Sequence, residues 1–154
     1  MSEDAEWTVA DTCRHAVLCW LATVDRKGQP SVSPKEIWHH EGDSFVIADI
    51  ASAGSIRAIQ THPRVCVSLI DVFRERGHKL IGAAEIIEDG ASRFEALVPP
   101  LREKAGPDFP IRNVIEVRVE KTVPILAPSW RFFPERDADE HIRRSRETYG
   151  MRSR

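Results

Sequence analysis

Three short polar turns limit what this chain can become: Asp25-Arg26-Lys27-Gly28, Glu41-Gly42-Asp43 and Phe73-Arg74-Glu75-Arg76-Gly77. Each separates runs rich in β-branched and aromatic side chains. Parallel neighbours need a long crossover, so links this short join antiparallel strands. Six strands follow: 18–24, 29–40, 44–49, 65–70, 78–88 and one from Ile115 toward Leu126. The last alternates most cleanly, Ile115, Val117 and Val119 against Glu116, Arg118 and Glu120. No strand–helix–strand periodicity and no internal repeat is present. The expected fold is mainly β with a few helices: a six-stranded antiparallel sheet, closed or nearly closed.

Helical spacing marks residues 5–16, then a short segment ending at His62-Pro63, then residues 91–104, which Pro99-Pro100 must kink or break. From Pro134 the chain is charged and poor in apolar anchors, predicting an exposed helix or a frayed tail. The expected organisation is one domain over residues 1–133 followed by a tail over 134–154.

Two local patterns point to binding. Pro30 and Pro34 lie inside the second strand. Proline donates nothing to a ladder, so this strand has backbone free for something other than a neighbour. The second pattern is a junction. Phe45-Val46-Ile47-Ala48 ends in Asp49-Ile50-Ala51-Ser52-Ala53-Gly54-Ser55, and a short helix starts behind Ser52 or Ser55. Small residues let an anion approach the helix N-terminus, the two hydroxyls add donors and Arg57 adds a cation, so the junction reads as a phosphate seat.

Composition excludes several classes. At 42% hydrophobic and 30% charged, the chain is that of a water-soluble globular protein, and no apolar run is long enough to span a bilayer. The opening Met1-Ser2-Glu3-Asp4-Ala5-Glu6 is acidic, unlike a secretory signal, which predicts a cytoplasmic protein. A net charge of −2 gives no general pull toward nucleic acid. Arg143, Arg144, Arg146, Arg152 and Arg154 cluster locally, with Glu140 and Glu147 placed to pair along a helix. Cys13, Cys19 and Cys66 form no Cys-x-x-Cys and read as reduced thiols. His39 and His40 point to opposite faces of a strand, which argues against one shared metal site. Trp20, Trp38 and Trp130 read as core or interface anchors.

Five segments in register resemble the pyridoxamine 5′-phosphate oxidase-like family: Leu21-Ala22-Thr23-Val24-Asp25, Gly28-Gln29-Pro30-Ser31-Val32-Ser33-Pro34-Lys35, the loop from Ala48 to Arg57, His62-Pro63-Arg64-Val65-Cys66-Val67-Ser68, and Lys79-Leu80-Ile81-Gly82-Ala83-Ala84-Glu85. The resemblance implies an FMN-binding split β-barrel. It places the flavin ring along the backbone of Ser33, Pro34 and Lys35, with the Lys35 ammonium near the pyrimidine edge or the phosphate. Ala48 and Asp49 match a main-chain and short polar contact, while Ser52, Ser55 and Arg57 match the phosphate site. The family's phosphate-gripping Arg-Lys pair is replaced here by Gly54 and Ser55, which leaves a deazaflavin as the alternative cofactor.

The resemblance further implies a homodimer with the cofactor between subunits, where Trp130 or Arg131 of one copy reaches the other's site. The implied activity is hydride transfer through flavin N5 to or from a nicotinamide or another small molecule. A non-catalytic flavin carrier or sensor, or a cofactor-free interaction module on the same fold, is the alternative.

Overall fold

A computed structural model of the protein describes residues 7–151. The acidic opening, Arg152 and Arg154 lie outside the described residues. The elements are, in chain order, α1 (Val9–His15), β1 (Cys19–Val24), β2 (Pro30–Lys35), β3 (Trp38–Glu41), β4 (Ser44–Asp49), α2 (Ala53–Thr61), β5 (Arg64–Asp71), β6 (Arg76–Glu88), α3 (Ser92–Leu97), α4 (Pro99–Ala105), β7 (Asn113–Leu126), α5 (Ser129–Phe132) and α6 (Ala138–Thr148). The strands form one sheet in the order β2-β1-β5-β6-β7-β4-β3, with every neighbouring pair antiparallel.

The sheet has seven strands where the sequence predicts six, because the run 29–40 divides. Lys35 pairs with Cys19 on β1, whereas Trp38 pairs with Ile47 on β4. One straight backbone cannot serve partners at opposite ends of a sheet. Glu36 and Ile37 therefore carry the chain from one sheet edge to the other, and the Ile37 carbonyl accepts a hydrogen bond from the Ala48 N–H at 2.9 Å. The result is a split barrel whose two edges are consecutive strands.

Its interior is filled by Leu21, Phe45, Ile47, Val67, Leu69, Leu80, Ile115 and Val117, all fully buried. Trp38 stacks on Phe45 at 5.4 Å. The other face of β4 presents Val46 and Ala48 to a second core with Phe94, Val98 and Leu101 of the α3–α4 region. A strand covered on both faces needs apolar residues at consecutive positions, which explains the unbroken run 45–48. The expected break before Pro99-Pro100 is present, since α3 ends at Leu97 and α4 begins at Pro99. Cys19 is buried, Cys13 and Cys66 are partly so, and all three are free thiols.

The two flanks of the chain meet outside the barrel. The Arg76 guanidinium lies 4.9 Å from the Trp7 ring and 4.7 Å from the Trp130 ring. The Trp7 indole N–H donates to Thr12 Oγ1, itself 2.7 Å from His78 Nδ1. On the opposite side Trp130 stacks on His141 of α6 at 3.8 Å, and its indole N–H donates to the Arg74 carbonyl. One face of α6 is thus docked through His141 and Ser145, while Arg143 and Arg144 pair with Glu147 and Glu140 on the other.

Two buried carboxylates give the fold a predicted acid sensitivity. Glu116 accepts hydrogen bonds from Nε and Nη2 of Arg93 and from the Ser44 hydroxyl. The Arg93 hydrogen bonds hold its carboxyl below the usual range. Burial pushes the Asp71 carboxyl up, but hydrogen bonds from Arg74 and Phe73 outweigh this and leave it lowered. Groups that hold protons less readily when folded contribute stability above their unfolded pKa and lose it as pH falls through the folded one. The urea midpoint is expected to drop as the pH falls below about 5, and Glu116→Gln should flatten that drop. Parallel pH profiles of the parent and the Gln variant would exclude this role.

Candidate functional site

The predicted seat assembles where β2, β4 and α2 meet. Alternation along β2 turns Ser33 and Lys35 toward the barrel side, in register with Leu21 and Cys19, and leaves Pro34 exposed on the outside. α2 lies across the barrel mouth with Ser55, Ala58 and Ile59 buried. Inward-facing β2 side chains therefore meet the first turn of α2. Lys35 Nζ donates to Ser52 Oγ at 2.6 Å, and Ser33 Oγ lies 3.3 Å from Ser55 Oγ. The Ser52 hydroxyl is thereby occupied by Lys35, and Ser52 makes no side-chain cap of the helix it precedes.

Asp49 anchors the loop before α2. Its side chain is buried, with Oδ1 accepting the Ser52 N–H at 2.9 Å and Oδ2 accepting Asn113 Nδ2 at 2.7 Å. Its carbonyl accepts the Arg112 N–H at 2.9 Å. A continuous chain of contacts, Lys35 to Ser52 to Asp49 to Asn113, thus links three strands to the helix start. Burial lowers the pKa of Lys35, while the nearby Asp49 carboxylate and the Cys19 sulfur act in the opposite direction. Burial pushes the Cys19 thiol up to about 12. A partly desolvated ammonium gains from any anion that settles beside it, because its attraction is less screened by water.

Two open clefts flank this group. One, of about 460 Å³, is lined by the loop 49–53 together with Arg57, Arg112 and Asn113. The other, of about 390 Å³, lies on the far side of Arg57 and is lined by Asp25, Arg26, Lys27 and Gly54. Of the predicted site residues, the structure joins Lys35, Ser52 and Asp49 in one hydrogen-bonded chain and pairs Ser33 with Ser55 beside it. Ser55 is buried and lines neither cleft. Arg57 is exposed at the edge of both. Ala48 turns its side chain toward the α3–α4 core.

Arg112 and Asn113 escaped the sequence reading, since they sit some way down the chain at the start of β7 with no motif around them. Trp130 spends both ring faces and its N–H within its own chain, whereas Arg131 is exposed. Among the described residues no group of three or more His, Cys, Asp or Glu is placed to hold a metal ion. No helix among them is long and apolar enough to cross a membrane.

A family model described as pyridoxamine 5′-phosphate oxidase matches residues 8–124. Among solved structures, HupZ of Group A Streptococcus is 25% identical, with 79% of this chain and 96% of that chain covered at a TM-score of 0.66. An FMN-binding protein from Syntrophomonas wolfei subsp. wolfei is 13% identical, covers 75% and 82% of the two chains, and has a TM-score of 0.64. An F420 reductase is 22% identical over 77% of this chain and 98% of that chain, with a TM-score of 0.59. Below 25% identity such likeness speaks to the fold alone. No curated protein matches the chain.

Proposed function

Because the chain belongs to the pyridoxamine 5′-phosphate oxidase family, we propose that it binds FMN, with the ring along β2 and the phosphate at the start of α2, and acts as an oxidoreductase. When bound, the flavin supplies hydride transfer at N5 to or from a nicotinamide or another small molecule. The observation that carries this reading is the Lys35–Ser52–Asp49–Asn113 chain, which holds the edge strand and the helix start in fixed register. The donor set suits the group: β2 is a sheet edge interrupted by two prolines, and Lys35, Arg57 and Arg112 surround the helix start with positive charge.

In this reading Lys35 stabilises negative charge on the ring or the phosphate, and Asp49 holds the loop that shapes the seat. Nothing in the site is placed as a dedicated general acid or base, so the chain's part is to bind, orient and exclude water. A second copy of the chain covers the ring, because the barrel interior is filled by its own side chains. The outer face of the β1–β2 hairpin offers exposed Trp20 and Val32 for that contact. The missing Arg-Lys pair favours a deazaflavin as the second reading.

The test is a visible absorbance scan of purified protein, titration with FMN and then with a deazaflavin, and light scattering on the loaded sample. Saturable FMN binding by a dimer is the expected result. Uptake of the deazaflavin alone would move the cofactor, and uptake of neither would overturn the reading. Turnover with NADH or NADPH and an electron acceptor separates an enzyme from a carrier, which would bind flavin and show none.

A further inference from the structure

The cleft on the far side of Arg57 brings together cations from two distant parts of the chain. Arg26 and Lys27 form the tip of the β1–β2 turn, and they line this cleft with Arg57 and Gly54 of α2. None of the three cations makes an ion pair among the described residues. Three cations against the one carboxylate of Asp25 leave the cleft with an excess of positive charge, which an anion settling between them would offset.

The turn itself is rigid. Asp25 Oδ1 accepts the N–H groups of Lys27 and Gln29 at 2.7 and 2.9 Å, its carbonyl accepts Gly28 N–H, and Gly28 takes φ 83°. One oxygen of Asp25, the carboxylate of the cleft, is thus engaged in holding the turn, and the tip is presented in a set conformation. Gly54 is the second unusual feature. Its backbone needs no glycine, and an added Cβ would meet no atom within 4 Å. A glycine within a helix costs stability relative to alanine. Packing does not explain its presence, whereas close approach of a ligand to the backbone does.

We infer that Arg26 and Lys27 of the β1–β2 turn clamp the phosphate monoester of the flavin against Arg57, across the open backbone at Gly54. This rests on the FMN reading above and assigns the charge that Gly54 and Ser55 do not supply. Arg57 then serves as the hinge between the two clefts, with the phosphate on the turn side of α2.

The experiment compares FMN with riboflavin, which lacks the phosphate, on the full chain and on the doubly substituted Arg26→Gln, Lys27→Gln variant. Both residues are exposed, so the variant is expected to keep the parent's circular dichroism and melting point. FMN affinity should fall at least tenfold while riboflavin affinity stays unchanged. Inorganic phosphate should compete with FMN on the parent and lose that ability on the variant. Gly54→Ala should raise the melting point and still weaken FMN. Equal losses for FMN and riboflavin, or an unchanged FMN affinity, would overturn the clamp and leave FMN binding standing. Failure of the parent to take up either flavin would overturn the FMN reading, and the clamp with it.

Discussion

Gly82→Ala is expected to abolish the native fold or lower its melting temperature by about 10 °C or more, since a loss of roughly 4 kcal/mol is large for a chain of this size. Gly82 sits in β6 at the irregularity between Ile81 and Gly82, with β5 on one side and β7 on the other. A Cβ there would lie 1.9 Å from the carbonyl oxygen of Arg118 and 2.9 Å from its carbon. Both are backbone atoms of a paired strand, so no side chain can swing aside. β6 and β7 are the longest strands and form the spine of the sheet, and pushing them apart opens the core between Leu80 and Val117. Gly54→Ala is the natural control, because the same added methyl group there meets open space. Thermal melts that place Gly82→Ala within a few degrees of the parent would refute the steric account.

Asp49→Ala should cost about 3 kcal/mol of folding free energy, because it strands the Ser52 N–H and the Asn113 amide without an acceptor. The same change releases the loop before α2, so FMN affinity should fall by about tenfold or more, the equivalent of about 1.4 kcal/mol. Asp49→Asn is a sharper probe. The new amide keeps the size, and the Asn113 side chain can turn over to present its oxygen to it. Most of the stability should return in this variant, whereas the negative charge beside Lys35 does not. Urea denaturation followed by FMN titration reads the two effects separately. If Asp49→Ala binds FMN like the parent, the anchored loop has no part in the seat.

Much of this architecture is legible in the residues themselves. The turns at Asp25 and Glu41, the run ending at Asp49 and the prolines at 99 and 100 act within a few neighbours, and local chemistry is what a sequence displays. The division at Glu36-Ile37 is not local. Residues 29–40 read as one extended run, and only the competing demands of β1 for Lys35 and β4 for Trp38 split it.

The site divides in the same way. Lys35, Asp49, Ser52 and Arg57 stand out by type and spacing, and the family resemblance orders them. Helical phase decides that Ser55 turns inward, and a contact spanning 64 positions decides that Asn113 completes Asp49. Arg26 and Lys27 read simply as turn residues, because their nearness to Gly54 and Arg57 exists only once the barrel is rolled.

The Arg76 sandwich has a temporal meaning as well. Trp7 precedes α1 and Trp130 lies in α5, beyond all seven strands, and one guanidinium packs against both rings. During synthesis the ribosome releases Trp7 and Arg76 well before Trp130 emerges. Until then α1 rests on the barrel with only one side of that stack made. Contacts between residues far apart in sequence form late and slowly. The later segment therefore acts as a latch on the earlier one, and a nascent chain stalled before residue 130 should expose α1 to proteases that spare the finished protein.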